Sequence, residues 1–423
     1  MIARRKWLSA LVSFFATAAL AALTVPAGAQ APSGEPIKIG FSMSLTGPLS
    51  PNGKSALLGM KIWEEEINAK GGLLGRPVKL VYYDDQSNPS TVPGIYTKLI
   101  DVDKVDLVLG PYATAQAAPA MPVIMQKGKV FIILFGLDVN HEFNYPKFFA
   151  MIPTGPDTKP SFTDGFFEVA AAQSPKPQTV ALVAADQEFS RNACDGARDN
   201  AKKTNIKVVY DKTYPPSTTD FTPIVRAIQA ANPDIVTICS YPLDSVGMVK
   251  AVNELNYKPK MIGGAMVGLQ ATALKVQLGS MLNGWVNYDF WLPVPKMQFP
   301  GVGELIKKYQ AKAAAEGVDA LGYYMAPWGY AQLQVVAQAI EGTKSIEDKK
   351  LADYIRVNTF KTVLGDVKFG KDGEWKKPRV LMTQFQGIKG NDVEQFRVMN
   401  TQTVVTPAEY KSGDVIYPYE KVK

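Results

Sequence analysis

What most constrains this chain is a strand-then-helix rhythm that it runs through twice. Apolar runs at 37–43, 78–83, 105–109 and 130–134 read as strands, and the stretches 56–68, 90–102 and 114–126 between them carry helical patterns. Strand then helix, repeated, predicts a parallel sheet with helices on both faces. The rhythm restarts after Pro175, where strands at 179–185, 206–212, 235–239 and 261–263 alternate with helices at 188–203, 221–231 and 243–255. The expected fold class is therefore α/β, with one architecture built twice.

The rest of the chain has to be shared between these two units. Residues 301–358 are mostly helical, with apolar residues at helical spacing over 321–340. A turn at Phe369-Gly370-Lys371-Asp372-Gly373 follows, and 380–385 and 395–399 read as strands. The chain is expected to cross between lobes more than once, with lobe one formed by 37–150 and 291–362, and lobe two by 151–290 and 363–423. Two cores suit the length, since about 390 residues exceed what one core organises.

The amino terminus reads as an export signal over residues 1–29. Arg4, Arg5 and Lys6 precede an apolar run from Leu8 to Val25, and Ala27, Gly28 and Ala29 spell an A-x-A site that places cleavage before Gln30. The run is broken by Ser13, Thr17 and Thr24, which argues against a retained membrane anchor. The arginine pair raises a twin-arginine route as well as general secretion, though its flanking residues match that route poorly. No cysteine follows the run, so a lipid anchor is not expected, and no later stretch is apolar enough to span a bilayer. The mature chain is expected to be soluble and periplasmic. Losing the leader's three basic residues leaves 43 basic residues against 39 acidic, a net charge of +4. That is too mild, and its lysines too scattered, for a nucleic-acid partner.

Enzymatic readings find little support. The single histidine, His141, rules out a metal site built on several histidines and leaves little room for a histidine relay. Residues 365–371 spell the opening of a phosphate loop, but Asp372 stands where magnesium needs a hydroxyl and the segment lies in a hairpin turn. Asp84 and Asp85 end a strand, where neighbours face opposite ways, so they do not share a catalytic centre. No catalytic residue, metal site or cofactor is expected, and the chain is not read as an enzyme. Cys194 and Cys239 would be oxidisable after export, but two cysteines do not define a framework, and Cys239 in its apolar run also suits a buried thiol.

Ligands of open parallel sheets sit at the carboxyl ends of the strands, where helix amino termini present free N–H groups. The corresponding loops are 45–53, 110–115 and 135–140 in the first unit and 186–190, 240–244 and 264–268 in the second. Thr114 stands at a helix start. Its hydroxyl is placed either to cap that helix or to meet a bound anion beside the helix N–H groups.

The runs IKIGFSMSLTGPLSPNGKSALLGMKIWEEEINAKGGLLGRPVKLVYYDDQSNP and VDLVLGPYATAQAAPAMPVI carry a resemblance to the leucine/isoleucine/valine-binding protein family of periplasmic receptors for ABC importers. The likeness covers nearly the whole mature chain. It implies two Rossmann-like lobes joined by three crossovers and closing about a hinge. It also implies a small-molecule ligand, an amino acid or organic carboxylate, and the permease subunits of an ABC importer as partners. Carried over by position, Thr114 replaces the serine that binds the ligand carboxylate, with Ala113 and Tyr112 on the same loop. Gly136, Leu137 and Asp138 fall on the next anion-binding loop, Asp138 replacing a threonine. Tyr241 keeps a family tyrosine, Phe189 replaces another, and Asn52 replaces an aromatic residue in the first loop.

Met266 is the main departure, for it falls where the family has the glutamate that pairs an amino-acid ligand's ammonium group. Either Asp138 or Asp186 supplies the missing charge, or the ligand lacks an ammonium group, because an unpaired buried cation costs several kcal/mol. An aromatic or aliphatic carboxylate would suit Phe189, Tyr241 and Met266. Plain core packing is the other reading of Met266. The same fold also serves sensors that report occupancy to a membrane receptor, which is the alternative to a transport receptor.

Overall fold

The computed structural model describes residues 31–422, so the signal peptide and its cleavage site before Gln30 lie outside the described residues. Two sheets organise it. The first has the order β2–β1–β3–β4–β5 and is built from β1 (Ile37–Met43), β2 (Val78–Asp84), β3 (Leu107–Leu109), β4 (Phe131–Ile133) and β5 (Phe148–Ala150), all parallel. β1 is buried along almost its whole length, as a parallel strand covered by helices on both faces should be. Helices α1 (Ser50–Ala69), α2 (Val92–Asp101), α3 (Thr114–Lys127) and the short α4 (Val139–Phe143) supply the connections.

The second sheet has the order β14–β13–β10–β9–β8–β6–β7. Its parallel core is β6 (Thr179–Ala185), β7 (Lys207–Tyr214), β8 (Ile235–Ser240), β9 (Met261–Met266) and β10 (Val286–Asp289), with β13 (Leu381–Phe385) and β14 (Gln402–Thr406) added antiparallel at one edge. Helices α5 (Thr158–Ala171), α6 (Glu188–Lys203), α7 (Thr222–Ala231), α8 (Pro242–Glu254) and α9 (Thr272–Leu278) cover it. The chain passes between the lobes three times: after β5, after β10, and again before β13.

Residues 301–358 return to the first lobe as α10 (Val302–Glu316), α11 (Ala326–Thr343) and α12 (Asp348–Val357). Glycine sets how closely α11 lies on α1. A β-carbon at Gly59 would stand 2.3 Å from the Ala326 carbonyl oxygen, and one at Gly329 would stand 2.6 Å from that of Ala56, so neither position admits a side chain without separating the helices. Next comes a hairpin of β11 (Phe360–Thr362) and β12 (Gly365–Val367). It pairs across the 362/363 boundary expected from the sequence, and the turn beyond it stays on the first lobe: Gly373 accepts from the Ala150 N–H at 3.0 Å and Phe369 packs on Phe149.

Several expectations need correction. The strand expected at 395–399 is instead a helical turn, α13 (Glu394–Arg397), and the strand forms at β14. The Asp392 carboxylate accepts from the Glu394 N–H at 3.0 Å and starts that turn. In a strand Phe396 and Val398 would share a face, whereas here Phe396 is 2% exposed and Val398 65%. α1 begins at Ser50 rather than 56, which moves Asn52 from a loop into a first helical turn, and α11 begins at Ala326 rather than 321. Cys194 and Cys239 are joined as a disulfide linking α6 to β8, with their α-carbons 6.0 Å apart. Among the described residues no helix is long and apolar enough to cross a membrane.

Candidate ligand-binding cleft

In each sheet the strand order reverses beside one central pair, β1/β3 in the first and β6/β8 in the second, and ligands of doubly wound sheets gather at the carboxyl ends beside such points. The loops after β3, β4, β6 and β8 meet there around a narrow cavity of about 30 Å³. Tyr112, Ala113, Thr114, Gly136 and Leu137 line it from the first lobe, and Phe189 and Tyr241 from the second. The sequence had singled out all seven.

Thr114 is the first residue of α3, and Ala113 precedes it with a φ of 80°, an unusual backbone for alanine that turns the chain sharply into the helix. The Thr114 hydroxyl does not cap α3. It accepts the Leu137 N–H at 2.9 Å, which occupies an oxygen lone pair and leaves its proton to donate. The Gln116 and Ala117 N–H groups donate to the Ala113 carbonyl at 3.2 and 3.0 Å, which leaves those of Thr114 and Ala115 without a backbone partner. A hydroxyl donor and a helix amino terminus thus converge on one point at the floor of the cavity, an arrangement that stabilises an anion.

The walls are aromatic. Phe189 meets Tyr241 edge-on at 5.6 Å and Phe162 at 5.1 Å, and Phe162 lies 4.4 Å from Tyr288. Phe135 packs on Tyr324 at 5.7 Å and on Phe290 at 5.1 Å, Phe290 standing on the second passage between lobes. Hydroxyls punctuate this surface. The Asn52 amide donates to the Tyr112 hydroxyl at 2.8 Å from behind the wall, and the Tyr241 hydroxyl is buried with no hydrogen-bond partner. Burial pushes the Tyr112 and Tyr241 phenols well above their usual range, so both stay protonated donors. No Asp, Glu, Lys or Arg lines this cavity among the described residues.

The remaining expected site residues lie elsewhere. Asn52 is a buttress for Tyr112 and does not line the cavity. Asp138 faces a neighbouring pocket, where its carboxylate accepts from the Thr158 hydroxyl at 2.7 Å and pairs with Lys159 at 3.4 Å. Asp186 pairs with Arg191 at 2.7 Å on the surface. Met266 is wholly buried at the end of β9 with its backbone held by Asn287, and it is Val267 that reaches the cavity. The sequence reading did not name Phe135, Ile152, Phe162, Val267, Tyr288 or Tyr324 as lining residues. Phe135 and Val267 fall inside loops it had marked, whereas Phe162 and Tyr288 sit on α5 and β10, which it had not recognised. Tyr241 also borders a neighbouring pocket of about 280 Å³ with Glu188 and Asp244 on its sides. Asp244 is already held there by the Tyr214 hydroxyl at 2.8 Å and the Tyr241 N–H at 3.2 Å. No group of three or more His, Cys, Asp or Glu among the described residues is arranged to hold a metal ion.

Two lobes, one on a parallel sheet and one on a sheet with a parallel core and an antiparallel edge, linked by three passages and with a cavity where their strand ends meet, define a two-lobed ligand-binding protein. Residues 36–390 match the family model of the periplasmic binding proteins, and the chain belongs to that family. It is 26% identical over 382 residues to the Leu/Ile/Val-binding protein homolog 7 of Brucella abortus (strain 2308), covering 88% of this chain and 94% of the relative. Among solved structures it resembles the branched-chain amino acid transporter substrate binding protein of Streptococcus pneumoniae in complex with isoleucine, with a TM-score of 0.70 at 20% identity over 88% of this chain and 100% of that one. It also resembles a solute binding protein of an ABC transporter from R. palustris in complex with 4-hydroxybenzoate, with a TM-score of 0.71 at 19% identity over 84% and 95% of the two chains.

Proposed function

We propose that this protein is the exported substrate-binding component of an ABC importer and that it captures a small aromatic carboxylate between its lobes for delivery to the permease. The leader would be cleaved before Gln30 and the mature protein would work in the periplasm as a binder without catalysis. We place the lobes at 37–150 with 291–375 and at 151–290 with 376–423, moving the third passage beyond the β11–β12 hairpin because that turn hydrogen-bonds to β5. Thr114, Ala113, Gly136 and Leu137 would hold the carboxylate, Phe189 and Tyr241 would enclose the ring, and Tyr112, backed by Asn52, would meet a ring hydroxyl.

One observation carries the ligand class: the cavity pairs an anion-holding floor with aromatic walls and has no carboxylate to receive an ammonium group. Leucine or isoleucine would have to bury its ammonium without a counter-charge, a cost of several kcal/mol. An aromatic acid with a ring hydroxyl has no such cost and can pair with the free Tyr241 hydroxyl. Titration calorimetry of leucine, isoleucine and 4-hydroxybenzoate into wild type and Asp138→Asn tests the reading. Tight binding of the hydroxybenzoate, unchanged in Asp138→Asn, is expected. Tight leucine binding abolished by Asp138→Asn would mean that the ammonium partner has moved to Asp138 and that the ligand class is wrong.

A further inference from the structure

The third passage between the lobes carries a guanidinium with no acceptor on one edge. Arg379 ends the run Trp375-Lys376-Lys377-Pro378 and its backbone N–H donates to the Pro153 carbonyl at 2.8 Å, joining the third passage to the first. In its side chain Nη1 donates to the Leu364 carbonyl at 2.6 Å. Nε and Nη2 are buried and donate to nothing. These two nitrogens present parallel N–H groups on one edge of the guanidinium plane, the edge whose spacing matches the two oxygens of a carboxylate. Leaving charged donors buried and unpaired is costlier than leaving neutral ones, so an absent acceptor is the direct reading of the geometry.

The surroundings agree. The guanidinium carbon lies 5.0 Å from the ring centre of Trp375 and 5.1 Å from that of Phe299, which leaves flat apolar surfaces on either side. The indole N–H of Trp375 is a further buried donor without a partner. Arg379 and Trp375 border a groove of about 760 Å³ with Lys368, Lys376 and Lys377 along it. Lys376 and Lys377 are exposed, so the rim is positive beyond the buried fork. Asp366, Glu409 and Tyr410 also border the groove, and the Tyr410 hydroxyl lies near the guanidinium, but none of the three makes a hydrogen bond to the free edge of Arg379.

We infer that this groove is a second ligand site, distinct from the interlobe cleft, which takes a small organic carboxylate on the Nε–Nη2 edge of Arg379 with its apolar body against Trp375 and Phe299. Lys376 and Lys377 draw the anion in, and the fork fixes its orientation.

The test uses 4-fluorobenzoate and fluorine NMR on the full mature protein. Wild type should show two saturable bound signals. Arg379→Gln should remove one of them, and the exposed pair Lys376→Glu/Lys377→Glu should weaken the same one at least fivefold, while Thr114→Ala weakens the other. Neutral 4-fluorobenzamide should leave the groove empty. Should Arg379→Gln fail to fold, the lysine pair decides alone, since both side chains are exposed. A single signal that responds to Thr114→Ala and to neither groove variant would overturn this inference and leave the cleft assignment standing. A single signal that responds only to the groove variants would do the reverse.

Discussion

The hydroxyls of Tyr288, in β10, and Tyr324, just before α11, lie 3.0 Å apart. One belongs to the second sheet and the other to the helical return onto the first, so the bond spans the lobes at the wall of the cavity. The neighbouring Tyr241 hydroxyl has no such partner, and the contrast separates groups that hold the lobes together from groups left to a ligand.

Tyr241→Phe should therefore weaken ligand binding without harming the free protein. Removing a buried, unpaired hydroxyl relieves a desolvation penalty, so the unliganded variant should unfold at the same urea concentration as wild type or slightly above it. Affinity by calorimetry should fall by about 0.5 to 1.5 kcal/mol. Unchanged affinity would place the ligand away from Tyr241.

Thr114→Ala removes a donor to the ligand and also leaves the Leu137 N–H without its acceptor. Binding should weaken by about 1.5 to 3 kcal/mol, the range for a hydrogen bond to a charged group. Thr114→Ser keeps the hydroxyl and should recover most of it. Equal loss in both variants would point to the methyl group rather than the proton.

Asp289 is buried where β10 leaves the second sheet, and burial, only partly offset by Lys275, raises its carboxyl to about 6. Gln402 bridges the two, donating to Asp289 at 3.1 Å and accepting from Lys275 at 3.0 Å. A carboxyl raised above its unfolded value stabilises the fold fully below about pH 4 and loses that contribution as pH rises through about 6. The difference in unfolding free energy between wild type and Asp289→Asn should thus fall by about 2 to 3 kcal/mol between pH 4 and pH 7. A difference that does not vary with pH would show that Asp289 titrates normally.

Cys194→Ser/Cys239→Ser opens a covalent loop with a sequence separation of 45 residues. Loop-closure entropy predicts a loss of about 2 to 4 kcal/mol, measurable as a lower denaturation midpoint. Neither cysteine lines the cavity and the bridge does not cross between the lobes, so ligand affinity of the folded variant should be unchanged. A change in affinity would mean that the bridge shapes the cleft.

How much of this was legible in the sequence varied with local signal. β1 announces itself as a short apolar run and the body of α1 by its helical spacing, and the Thr114 and Tyr241 loops follow from the apolar strands β3 and β8 that end just before them. β10 did not, because its four residues lie inside the longer apolar and aromatic stretch 285–292, where no period stands out. Missing it hid Tyr288, and missing α5 hid Phe162. The Met266 assignment was one residue off: position along a family pattern cannot say which of two adjacent side chains at a strand end turns inward, whereas the backbone pairing of Met266 with Asn287 does. Asp138 was on the right loop, but its destination depends on Thr158 and Lys159, which arrive from the start of α5.

Trp328 rests 5.1 Å from Phe135, edge to face, and does not itself line the cavity that Phe135 borders. Indole emission responds to the polarity and rigidity of its immediate neighbours, and Trp328 is shielded from solvent. A guest that shifts Phe135 or dries the space before it must therefore change the light this tryptophan emits. The protein carries its own optical gauge of occupancy, readable without a label, and Trp328→Phe should silence it while leaving the cleft occupied.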